Sequence, residues 1–206
     1  MKQYYVQRAS AGLVITEFTS IANDAITFHR EPCIADDAQT AKWKEIVDAV
    51  HAAGGRIFCQ IAHGGRAAHP SYQDMHRGET APDEVKFIAS IANDFGLAYL
   101  HVMRADFFGQ QKGDVITPAR ETLDGPALLV NMGFEVDEAK EGVAAGRFDA
   151  VAFGTKFLAN PDLPARIAAG ADLNAPKADL FYTGKVGDLT YTGPEGYTDY
   201  PPLTPN

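Results

Sequence analysis

An α/β fold built on a parallel sheet or barrel is predicted by three features of the sequence. Short apolar, β-branched runs alternate with stretches of helical periodicity, the helical stretches stop at glycine, and the alternation continues through most of the chain. At 206 residues the chain suggests one domain. A complete (β/α)₈ barrel usually takes roughly 250 residues.

The elements follow in order. Gly12–Phe18 (GLVITEF) reads as a buried strand. A polar stretch leads to an amphipathic helix over about Asp36–Ala53, with Trp43, Ile46, Val47 and Val50 on one face. Asp36 and Asp37 suit its positive end, and Gly54-Gly55 its stop. Arg56–Ala62 (RIFCQIA) is the next strand, followed by an irregular loop over Gly64–Ala81. Pro82 opens a second helix, whose Val85, Ile88, Ile91, Ala92 and Phe95 share a face before Gly96. Leu97–Met103 and Pro126–Met132 are strands, and Val136–Ala145 is a short helix ending near Gly146. Asp149–Gly154 is the fifth strand, followed by a turn and a helix near Asp162–Ala169. The tail from Asn174, rich in Pro, Gly, Tyr and Thr, reads as an ordered surface loop or a frayed end.

Charge and composition narrow the function. With 18 Lys and Arg against 27 Asp and Glu, the net charge is −9, a poor balance for non-specific binding of nucleic acid or anionic membranes. No apolar run approaches the roughly 20 residues of a membrane span, and Met1–Arg8 lacks the apolar core of a secretory signal. Cys33 and Cys59 form neither a metal motif nor a disulfide framework, and Cys59 reads as a small buried strand residue. A reducing, cytoplasmic compartment is the default expectation.

In parallel α/β folds, chemistry sits at the carboxyl ends of strands. Gln60 stands near one such end; it reads either as a buried amide bonded to backbone or as a bidentate partner for a planar ring such as a pyrimidine. His63-Gly64-Gly65-Arg66 follows and reads more simply as a turn than as a site. Gly133 and Gly154 end the last two strands, where backbone N–H groups can form a phosphate site, with Lys156 adding charge. His29, His51, His69 and His76 lack metal spacing, and there is no Walker loop, GxGxxG or GxSxG.

Five stretches together carry a family resemblance: YYVQRASAGLVITE (Tyr4–Glu17), WKEIVDAVHAAGGRIFCQIAHGGRAAHP (Trp43–Pro70), LAYLHVMRADFFG (Leu97–Gly109), DAVAFGTKFLANPDL (Asp149–Leu163) and GYTDYP (Gly196–Pro201). In this order they resemble the old yellow enzyme family. GTKFLANPDL and QQKGDV look most like trypanosomatid members described as prostaglandin F2α synthases.

The resemblance implies an incomplete TIM (β/α)₈ barrel of about five parallel strands with FMN at its mouth. The chain is then one partial-barrel domain, 1–72 matching the family's N-terminal half and 82–206 its C-terminal part, joined near 71–81. NADPH or NADH would reduce the flavin, which passes hydride to an activated alkene, a quinone or, in prostaglandin-forming relatives, an endoperoxide. By motif, Gln60 bonds the flavin pyrimidine edge, and Gly133, Gly154 and Thr155 lie by the phosphate. Phe157 lies near the dimethylbenzene edge and Tyr197 over the substrate.

Three departures stand out. Phe18 occupies a position where the family has a small residue against the flavin, so its ring would clash or force a shift. Thr155 replaces a phosphate-binding arginine, leaving that task to Lys156 and backbone donors. The family's first, fourth and fifth strands have no counterpart, the last two falling within Ser71–Thr80. With them go the His/Asn or His/His pair that polarises the substrate carbonyl, the proton-donating tyrosine and an arginine near flavin N1, so no catalytic residue is assigned. Loss of one such donor commonly costs 10²–10³ in rate.

Three readings therefore compete: a flavoprotein reductase, with missing strands supplied by a partner chain; a catalytically impaired paralogue or incomplete gene model that binds FMN weakly or not at all; and an unrelated phosphate-binding barrel. Five of eight strands leave two open sheet edges, met by a rearranged open sheet, by homo-oligomers or by aggregation.

Overall fold

The computed structural model describes residues 1–21, 31–62, 81–105, 113–181 and 193–203. His29, His63, Gly64, Gly65, Arg66, His69, His76 and the junction at 71–80 lie outside them. The chain packs as two compact units, Met1–Asp74 with Thr155–Asn206, and Met75–Gly154.

In the first unit, helix α1 (Lys2–Val6) precedes two strand pieces, β1 (Val14–Ile15) and β2 (Thr19–Ser20). Helix α2 (Asp37–Ala52) follows, then β3 (Ile57–Phe58) and β4 (Ile61–Ala62). β1 pairs with β3 and β2 with β4, both in parallel. The expected strand at 12–18 is thus found, continued to Ser20 and broken in the middle. The Asp36 carboxylate caps α2 by accepting the Gln39 N–H at 2.8 Å. Trp43, Ile46 and Val50 bury one face of α2 against Tyr5 of α1, Val14 of β1 and Ile57 of β3. Each buried aliphatic side chain contributes about 2 kcal/mol.

Cys59, expected to be buried, is exposed. Of residues 56–61 only Ile57 reaches the core under α2; the ladder breaks after Phe58, and Phe58 and Ile61 are exposed with Cys59.

The second unit holds α3 (Ala81–Asp94), β5 (Tyr99–Met103), α4 (Ile116–Thr122), β6 (Ala127–Asn131), α5 (Val136–Ala144) and β7 (Ala150–Val151). Its sheet runs β5-β6-β7, parallel throughout. Leu128 and Val130 point into a core closed by Val85, Ala89 and Ala92 of α3 and by Phe134 and Phe148. Gly142 of α5 lies against Phe148 so closely that a Cβ there would fall 2.0 Å from the ring. The helix at 82–95 is present, but its buried row is Val85, Ala89 and Ala92, whereas Ile88 and Phe95 are exposed. Small alanines let α3 approach the sheet, and the bulkier residues of the expected face lie one step around the helix.

Beyond β7 the first unit resumes with α6 (Thr155–Ala159), α7 (Leu163–Ala169) and a 3₁₀ turn at Ala178–Leu180. The sequence reading gave a turn where α6 lies and did not place α4.

Candidate functional site

The break in the first unit's ladder is a register step. Val14 pairs with Ile57 but Thr19 with Ile61, so the β1–β2 strand carries one extra residue, a bulge at Thr16-Glu17-Phe18. The gap is closed by Thr16, which is 3% exposed. Its N–H donates to Phe58 O at 3.0 Å, and its hydroxyl accepts the Gln60 N–H at 2.9 Å while donating to Glu17 O at 2.9 Å. Gln60 O accepts the Thr19 N–H at 2.9 Å. The Gln60 backbone is thus fixed on both sides, and its side chain is exposed, its amide unpartnered among the described residues. This removes the reading of Gln60 as a buried structural amide.

Helix α6 carries Thr155, Lys156 and Phe157, with Gly154 just before it. Five residues make a marginal helix, because its terminal carbonyls have no partner within the helix. Here every one of the last four is taken by a side chain. Asn160 Nδ2 donates to Lys156 O at 2.8 Å, and Asn174 Nδ2 to Ala159 O at 2.9 Å. Arg8 takes the two between, its Nε donating to Phe157 O at 3.2 Å and its Nη2 to Leu158 O at 2.6 Å. The same Nη2 donates to Tyr197 O at 3.1 Å, and Nη1 to Tyr4 O at 2.7 Å. Arg8 is 3% exposed and lies over the Tyr4 ring, 3.7 Å from its centroid. Burial pulls its pKa down, yet a guanidinium with four acceptors stays charged.

Tyr197 is half-buried in a turn closed by Tyr197 and Thr198 N–H groups on Pro194 O, and its ring meets Tyr4 edge-on at 6.4 Å. The segment following it is pinned to α7. Arg166, 6% exposed, pairs with Asp162 at 2.8 Å and donates to Pro201 O at 2.8 Å. The other Asp162 oxygen accepts the Leu203 N–H. Of the two readings left open for the tail, residues 193–203 take the ordered one.

In the second unit the end of β6 turns sharply: Met132 has φ 77° and Gly133 φ 68°. Left-handed backbone is natural for glycine but costs a residue such as methionine about 1 kcal/mol. Arg104, at the end of β5, holds this turn by donating to Met132 O at 2.7 Å and Gly133 O at 2.6 Å. It also pairs with Glu138 of α5, and the guanidinium holds that carboxyl below the usual carboxylate range. Asn131, the last residue of β6, has a buried side-chain amide oxygen with no partner among the described residues.

Each unit by itself holds groups of the kind a flavin nucleotide needs. In the first, Gln60 offers an amide unpartnered among the described residues; in the second, Asn131 leaves a buried polar atom without a partner among them, and a Cβ built on exposed Gly154 would meet nothing within 4 Å. Phe18, half-buried in the bulge, is the misfit. Within the first unit Phe157 and Tyr197 meet through Arg8, while no hydrogen bond joins Gln60 to either. Gly133 and Gly154 belong to the second unit and are not tied to each other by a hydrogen bond. Arg8, Thr16, Asn160 and Asn174 were missed by sequence reasoning, because their partners are backbone groups, most of them remote in sequence. Arg8, Thr16 and Asn160 did leave a signal, lying within the YYVQRASAGLVITE and DAVAFGTKFLANPDL stretches. Among the described residues there is no cluster of three metal-ligating side chains, and no helix is long and apolar enough to cross a membrane.

Residues 1–111 match the NADH:flavin oxidoreductase / NADH oxidase family. A probable flavin mononucleotide-dependent alkene reductase of Leishmania infantum is 29% identical, the match covering 98% of this chain and 87% of the relative. The 12-oxophytodienoate reductase 2 of Arabidopsis thaliana is 26% identical over 97% of this chain and 86% of its own length. The Leishmania match runs over 328 positions against 206 residues here, so more than a third of it has no counterpart in this chain. Among solved structures, the old yellow enzyme from Trypanosoma cruzi superposes with TM-score 0.85 at 23% identity, covering 98% of this chain and 89% of that one. At that identity the likeness is one of fold.

Proposed function

We propose, from the premise that this chain belongs to the NADH:flavin oxidoreductase / NADH oxidase family, that it grips FMN through Gln60 and acts on small activated alkenes. The chain is an oxidoreductase of the old yellow enzyme type, with FMN as cofactor and NAD(P)H as reductant. The observation that carries the reading is Gln60, whose backbone is fixed by Thr16 and Thr19 while its amide stays free. A side-chain amide presents a donor and an acceptor side by side, the pattern a pyrimidine edge requires.

The remaining assignments follow the resemblance residue by residue. Gly133, Gly154 and Thr155 serve the phosphate through backbone N–H groups, and Lys156 supplies the charge the absent arginine would carry. Phe157 lies by the dimethylbenzene edge and Tyr197 by the substrate. FMN, when bound, supplies a two-electron carrier between NAD(P)H and the alkene. No residue of this chain is assigned to polarise the substrate carbonyl, so the expected turnover is slow. An alkene conjugated to a carbonyl is the preferred substrate class, in keeping with the alkene reductase of Leishmania infantum; endoperoxide reduction, as in prostaglandin F2α synthases, is the narrower alternative. Two free cysteines suit a reducing, cytoplasmic setting.

Self-association belongs to the same reading. Among the described residues β5 is an edge of its sheet, and Phe87 and Phe95 of the adjacent α3 are 67% and 77% exposed. Such an edge pairs readily with another chain. Light scattering of the purified protein should show a dimer or larger species that shifts toward monomer in Phe87→Lys/Phe95→Lys.

The deciding experiment is titration of the purified chain with FMN, followed by NADPH and an enone. A bound flavin that bleaches with NADPH and regains its colour with the enone supports the proposal. A chain that leaves the fluorescence of added FMN unchanged overturns it.

A further inference from the structure

We infer that Arg8 is a positioning residue for the cofactor site, one buried guanidinium that sets the flavin-edge residue Phe157 and the substrate-side residue Tyr197 in fixed relation. The inference rests on the assignment of those two residues above. Its physical basis does not.

A buried cation is costly unless every N–H is satisfied, and it ordinarily meets a carboxylate. Arg8 meets none among the described residues. Its acceptors are four main-chain carbonyls, those of Tyr4, Phe157, Leu158 and Tyr197, and its face lies on the Tyr4 ring. Two of these carbonyls end α6, and a third lies in the last turn of α1. Positive charge is favourable there, where the helix dipoles leave partial negative charge. The fourth belongs to a turn 189 residues away. No local contact along the chain brings these segments together; the planar fork of Arg8 bonds Phe157 and Tyr197 directly, while the Asn174 amide links Ala159 O to Pro201 O farther out.

Consequently the two segments cannot shift independently. If Phe157 moves, the bond from Nε lengthens; if the Tyr197 turn moves, the bond from Nη2 does. Lysine could keep the charge but presents a single ammonium, unable to span carbonyls lying in different directions around the guanidinium plane. Arg8→Lys therefore isolates geometry from charge.

Two measurements test this. Hydrogen exchange on the protein without added flavin should show protection falling together at 157–160 and 197–198 in Arg8→Lys, with α3 and β6 unaffected. Loss at neither segment, or at only one, overturns the inference. In FMN titrations Arg8→Lys should weaken binding by about tenfold, but by less than about threefold when Phe157→Ala is already present, since directly coupled residues are non-additive. Equal fold losses in both backgrounds would mark a general stability effect and overturn it. A parent chain that fails to bind FMN while both segments lose protection would refute the cofactor reading and leave the clamp standing.

Discussion

The hydroxyl of Thr16 takes the place of a backbone carbonyl for the N–H of Gln60, bridging at 2.9 Å the step where one strand has a residue its partner lacks. The bulge and the free Gln60 amide are therefore one feature. Thr16→Val keeps the shape but removes the acceptor, and should cost about 1 kcal/mol of stability. FMN affinity should fall with it, because the amide is no longer aimed. Thr16→Ser should restore both. Urea unfolding and flavin titration of the two variants measure this; equal behaviour of valine and serine would dissociate Gln60 from the bulge.

Phe18 lies in the same bulge, where the family has a small residue against the flavin. Removing the ring relieves overpacking that typically costs 1–3 kcal/mol. Phe18→Gly should accordingly tighten FMN binding by about tenfold, a gain of function that a general destabilisation cannot mimic. Weaker binding would mean that the ring is part of the site's wall.

The pH dependence follows from Asp162. Burial raises its pKa, but the Leu203 N–H and the Arg166 guanidinium outweigh burial and hold it below the usual carboxylate range. A carboxyl with a depressed folded pKa stabilises the fold above its unfolded value of about 3.9, and that stability is lost as pH falls through the folded pKa. Asp162→Asn should therefore cost about 2 kcal/mol at neutral pH and little in strong acid. Parent and variant denaturation midpoints should converge as pH drops below about 4. A constant difference down to pH 2 would place the effect elsewhere.

How much of this was legible in the sequence depended on the range of the interaction. Strands announced themselves through short apolar runs such as ALLVN, and α2 through the spacing of Trp43, Ile46 and Val50, since these patterns are local. The buried face of α3 was misread because periodicity selects the bulkiest stripe, whereas Ala89 and Ala92 pack against the sheet precisely by being small. Cys59 was misread because a broken ladder looks continuous from one strand alone. The bulge needed both strands, and Arg8 needed carbonyls 149 to 189 residues distant. Tyr197 was reached only through family resemblance, whereas Gln60 was singled out by its place near a strand's carboxyl end and given its flavin role by the resemblance.

Lys156 carries the last expectation. The family's phosphate arginine is Thr155 here, and threonine has no charge to offer. α6 is held from its carboxyl end by Arg8, Asn160 and Asn174, which leaves its opening residues, Thr155 and Lys156, on a short but immobilised helix. An ammonium serves phosphate as a point charge and loses strength in salt. Lys156→Ala should weaken FMN binding by about tenfold in low salt and leave riboflavin, which lacks the phosphate, unaffected. Lys156→Arg should bind FMN at least as well as the parent. If alanine leaves FMN affinity unchanged, the phosphate is held by backbone N–H groups alone; if riboflavin weakens equally, Lys156 acts on the ring system or on the fold rather than on the phosphate.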